Sequence, residues 1–170
     1  MSYKWIGAAC ILLACGGFGF SLAAAHRREE SALRQLIAAL DYMECELQYR
    51  LTPLPDLCRQ AGRDARGAVG QVLLALSKEL ENQVAPDAAS CMNAALSAGK
   101  DLPEKTRQAL LLLGRSLGRF DLPGQLKGLE AVRAECRREL EALTNNRDAR
   151  LRSYQTLGIC AGAALAILFI

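Results

Sequence analysis

The residue of this sequence best placed for chemistry is Cys15. Leu12-Leu13-Ala14-Cys15 resembles a lipobox, in which the cysteine thiol is acylated and the chain becomes a lipidated, membrane-anchored surface binding module. Leu13 suits that pattern poorly. The only histidine, His26, directly follows an apolar run. A lone imidazole there serves more readily as an interfacial residue than as a base or metal ligand. No cysteine or histidine spacing suits zinc. No glycine-rich loop follows a strand, so no nucleotide cradle is apparent. Glu29, Glu30, Glu139 and Glu141 stand among arginines at helical spacing, and solvated i,i+4 pairing accounts for them. With no catalytic constellation and no cofactor site, the chain reads as a non-enzymatic one.

What Cys15 does depends on the segment that carries it. Ile6 to Ala25 is a run of 20 residues without a charge, the length that spans a hydrocarbon core of about 30 Å. Ala23-Ala24-Ala25 also offers a secretory cleavage site. A cleaved signal, however, has a shorter apolar region of roughly 7–15 residues after a basic start, and only Lys4 precedes this one. His26, Arg27 and Arg28 follow at once, and cations on that side resist translocation. The other end mirrors this pattern. Leu157 to Ile170 is an uncharged run of 14 residues, with Arg147, Arg150 and Arg152 just before it. Both apolar segments thus carry their basic flank on the inner side of the sequence. The pattern predicts an uncleaved N-terminal transmembrane helix (1–25), a cytoplasmic domain (26–153) and a C-terminal transmembrane helix (154–170), with both termini across the membrane.

The composition of the middle segment agrees with a domain in a reducing compartment. Lys4 is the only charged side chain outside 26–153, so the domain carries a net charge of +2. That is too balanced for nucleic acid. Seven cysteines, an odd number scattered without paired spacing, argue against a disulfide framework. Each reads as a small buried apolar residue.

The middle is helical throughout, and the class is all-α: a bundle of about six helices. Leu33, Leu36, Ile37, Leu40, Met43, Leu47 and Leu51 recur at steps of three and four, one stripe of an amphipathic helix. Nothing separates that helix from the first membrane run. Thr52-Pro53 ends it, because proline lacks the amide donor and biases its predecessor away from helix. A short helix to Gly62, another over Ala68 to Val84 and a third from Asp87 to Gly99 are expected. Asp101 can cap the next, with Pro103 in its first turn and Glu104 completing a capping box. Gly118 ends that helix in a left-handed conformation, and Asp121 caps the last. The last helix carries Leu126, Leu129, Val132, Cys136, Leu140 and Leu143 on one face and passes into the second membrane run. "ECRRELEAL", Glu135 to Leu143, lays a charged face over that stripe, which either packs in the bundle or meets a partner.

Four stretches together resemble the stage III sporulation protein AB family. They are "KWIGAACILLACGGFGF", "LTPLPDL", "LGRFDLPGQLKGLE" and "RSYQTLGICAGAALAILFI". The Thr-Pro-Leu turn, the Leu-Gly-x-Phe-Asp-x-x-x-Gln segment and the Tyr-x-x-Leu-Gly approach to the terminal run are the specific parts. The family's helical domain is similar to the inner-membrane platform protein of type II secretion and type IV pilus systems. The resemblance implies a membrane platform in the channel between mother cell and forespore. It implies a location in the mother-cell membrane around the forespore. Its partners would be a cytoplasmic secretion-type ATPase and other channel proteins of the same apparatus. No catalytic residues come with it.

Two groups of residues are expected to matter for assembly. Cys15, Gly19 and Ala23, like Gly158, Gly162 and Ala166, recur every four residues. Either they form a close-packing seam between membrane helices or between copies of the chain, or they reflect how common small residues are in such helices. The second group is "GRFDLPGQ", where Phe120 is the only phenylalanine outside the membrane runs. Phe120 is expected in the core, Asp121 as a cap, and Arg119 and Gln125 exposed toward a partner.

Overall fold

The computed structural model describes residues 2–82, 87–118 and 121–169, with side chains over 25–82, 87–118 and 121–145. Among the described residues there are six α-helices and no strand: α1 (Ser2–Tyr49), α2 (Leu54–Asp64), α3 (Gly67–Asn82), α4 (Ala88–Ala95), α5 (Glu104–Ser116) and α6 (Leu122–Phe169). One 3-10 turn, Leu96–Ala98, extends α4. The all-α bundle expected from the sequence is therefore the fold. Each helix packs on the next, and α6 closes the ring by packing on α1.

The two end helices differ from the rest in length. Each has 48 residues, a rise of about 72 Å. The inner helices run from 8 to 16 residues. The first and last helices thus continue unbroken well past the bundle, into the two apolar segments of the sequence. Among the described residues no helix is long and apolar enough to cross a membrane. The segments assigned to the membrane, 1–25 and 154–170, lie outside the described side chains apart from Ala25. So do the small-residue positions Cys15, Gly19, Ala23, Gly158, Gly162 and Ala166.

The stripes fill the core as the periodicity requires. Leu33, Leu36, Leu40 and Met43 of α1 meet Leu57, Leu73, Leu76, Met92, Leu110, Leu113 and Leu129, all at most 1% exposed. Leu51, counted in the α1 stripe by its spacing, is not part of that core, because α1 stops at Tyr49. Three cysteines, Cys58, Cys91 and Cys136, are buried; Cys45 is exposed, on the solvent side of α1, and corrects the expectation that every cysteine is buried. The Asp101 cap is also corrected. Leu102 is buried and its amide donates to the Gly99 carbonyl at 3.1 Å. That turn holds the chain extended at Pro103, which takes the cap position itself without a side-chain hydrogen bond, so α5 begins at Glu104. Glu104 then accepts from Gln108 at 3.1 Å rather than closing a capping box.

Helix pairs are drawn together where glycine removes a side chain. A Cβ on Gly70 would lie 2.2 Å from the Ala65 carbonyl oxygen and 2.8 Å from that of Gly62. One on Gly128 would lie 2.5 Å from Cβ of Ser116, so α5 and α6 approach closely just after the turn that joins them. Ion pairs then fasten the ring. Arg133 of α6 donates to Asp41 of α1 at 2.8 Å and also to Glu44. Lys105 of α5 pairs with Glu139 of α6. Glu139 is therefore an interhelical partner and not only a solvated surface carboxylate, and the "ECRRELEAL" face joins the bundle at that point.

The buried thiols give the core an alkaline limit. Burial pushes the Cys58 thiol from 9.0 up to about 12. Burial and then the charge of Glu135 push Cys136 up to about 11. Both folded values lie above the unfolded one, so this stability is fully present below pH 9 and is lost as pH rises toward 11–12. Each unit is worth up to about 1.4 kcal/mol per thiol. The melting temperature of the purified chain should fall from pH 9 upward. A Cys58→Val variant, without the buried thiol, should fall less steeply; parallel curves would refute the assignment.

Candidate partner-binding end of the bundle

Two turns meet at the end of the bundle where α1 stops and α6 starts. The first joins α1 to α2. Proline at 53 bars a further helical turn, and the chain must reverse within Arg50, Leu51 and Thr52. None of the three is glycine, yet Leu51 takes a left-handed φ of 54°. Such a conformation costs a non-glycine residue roughly 1–2 kcal/mol. Three contacts to Glu46 hold it in place. The Arg50 amide donates to the Glu46 carbonyl at 2.9 Å. The Thr52 hydroxyl donates to Glu46 Oε2 at 2.9 Å. Arg50 Nη1 lies 3.4 Å from Glu46 Oε1. Glu46 is itself buried, and a buried carboxylate is stable only when so partnered. Pro53 then occupies the cap position of α2, and its carbonyl accepts from Leu57 at 2.9 Å.

The second turn joins α5 to α6. Leu117 closes α5 by donating to the Leu113 carbonyl at 3.1 Å. Gly118 follows with a φ of 71°, the left-handed stop expected of it. Asp121 caps α6 as expected: its Oδ1 accepts from the Gly124 amide at 3.2 Å, and its carbonyl from Gln125 at 2.9 Å. Arg119 and Phe120 lie outside the described residues, so the expected core place of Phe120 and the partner role of Arg119 stay untouched.

Between the turns is a groove of about 260 Å³, lined by Leu47, Leu51, Thr52, Leu54, Gly118, Leu122 and Gln125. The structure thus brings together Gly118 and Gln125 from one quoted motif and the residues flanking Pro53 from the other. Gln125 is half-buried at the groove wall rather than freely exposed. The two most exposed large apolar side chains among the described residues are Tyr49, the last residue of α1, at 76% and the groove residue Leu51 at 66%. Sequence spacing hid both. Leu51 sits four residues after Leu47 and passes for stripe. The usable signal was the proline two positions later, which forces a reversal onto residues that do not favour one.

Among the described residues no group of histidine, cysteine, aspartate and glutamate is arranged to hold a metal ion. His26 is exposed. Cys58 and Cys136 have thiols pushed up and so remain protonated at neutral pH, the unreactive form. The arrangement presents a strained, apolar turn and a groove at the end of the bundle where α1 stops and α6 starts.

Comparisons with known proteins point to one family. The family model for stage III sporulation protein AB matches residues 4–170. Stage III sporulation protein AB of Bacillus subtilis (strain 168) is 25% identical over 168 residues, which is 97% of this chain and 98% of that protein. A solved structure of stage III sporulation protein AB superposes with a TM-score of 0.63 over 72% of this chain and 98% of its own; at 23% identity this is a likeness of fold. The match of the family model over residues 4–170 makes the chain a member of the stage III sporulation protein AB family, with a role in sporulation.

Proposed function

We propose that this chain is a non-enzymatic membrane platform of a secretion-like channel between mother cell and forespore. Its two apolar segments cross the mother-cell membrane around the forespore, and its bundle faces the mother-cell cytoplasm. The single observation that carries this reading is the continuity of α1 and α6. Both run without a break from the bundle into an apolar segment. They are antiparallel neighbours, tied by Arg133 to Asp41 and Glu44, so both apolar segments leave the bundle at one end. The exposed cations Arg27 and Arg28 stand where the bundle begins, as the positive-inside rule asks of a cytoplasmic domain.

On this reading the groove end faces away from the membrane, where a cytoplasmic secretion-type ATPase can reach it. The platform role also supports contacts with other channel proteins and with further copies of this chain.

Cys45 is a natural reporter for the topology, exposed among the described cysteines. In a variant that keeps Cys45 alone, made in non-sporulating cells so that the chain sits in the outer cell membrane, a membrane-impermeant maleimide should leave intact protoplasts unlabelled and react fully once the membrane is opened. Full labelling of intact protoplasts would place the bundle outside and overturn the proposal. The mass of the purified chain separates the lipidated alternative: a diacylglycerol-modified Cys15 would support that module instead.

A further inference from the structure

We draw no further inference here: the strongest candidate, the half-open groove between α5 and α6 that Leu33, Ala109, Leu112 and Cys136 line beside the Lys105–Glu139 pair, carries none because nothing in the structure shows what covers it.

Discussion

Gly70→Ala should lower the stability of this bundle measurably. The added methyl would sit 2.2 Å from the Ala65 carbonyl oxygen and 2.8 Å from that of Gly62. Both obstacles are backbone, so no rotamer change relieves them. Separating α2 from α3 is the only escape, and the opposite wall is no softer: a Cβ on Gly62 would come 2.9 Å from the Leu74 amide nitrogen. Alanine gains about 1 kcal/mol over glycine in helix propensity. Overpacking against rigid atoms costs typically 1–3 kcal/mol, occasionally more, and contact this close belongs at the top of that range. The net expectation is a loss of about 2 kcal/mol from a domain whose total is of order 5–15 kcal/mol. Thermal melting of the purified chain measures it, and spore yield should fall with it. A melting temperature equal to or above the parent's would mean that α2 and α3 do not touch as described.

Leu51→Asp should have the opposite profile, a large loss of function with an intact fold. Leu51 is 66% exposed and buries nothing of the core. Aspartate also tolerates the left-handed conformation better than leucine does, so melting should be unchanged or slightly raised. If Leu51 anchors the ATPase, a charge there should weaken binding by about 2 kcal/mol or more, some 30-fold. Leu51→Gly separates the two effects: it relieves the strain without adding charge, and should melt no lower than the parent while still losing the anchor. Normal ATPase binding and normal sporulation in both variants would remove Leu51 from the interface. The strain at this turn would then be only the consequence of reversing the chain before Pro53.

These two positions also mark where sequence stops predicting structure. Local signals were readable. Asp121 caps as expected because its side chain reaches the amide three residues on, that of Gly124. Gly118 stops α5 because glycine enters the left-handed region without penalty. The helical stripes of α1 and α6 declared their inner faces through spacing alone. What stayed hidden depends on long-range contact. The tightness at Gly70 exists because α3 folds back onto the carbonyls of Ala65 and Gly62. Glu139 found Lys105 on another helix, 34 residues away, instead of a neighbour on its own. Asp101 looked like a cap until the burial of Leu102 shifted the start of α5 by tertiary pull. Leu51 matched the apolar period, and only the end of α1 two residues earlier turned it outward.

A photocrosslinking residue in place of Leu51, in full-length protein expressed in sporulating cells, reads the partner directly. A second, in place of Leu112 on the flank of α5, serves as comparison; that side chain is 42% exposed. After irradiation, mass spectrometry of the adducts should identify the cytoplasmic secretion-type ATPase from position 51 and not from position 112. No ATPase adduct at 51, or an ATPase adduct at 112 alone, would contradict a platform that meets its ATPase through the groove end.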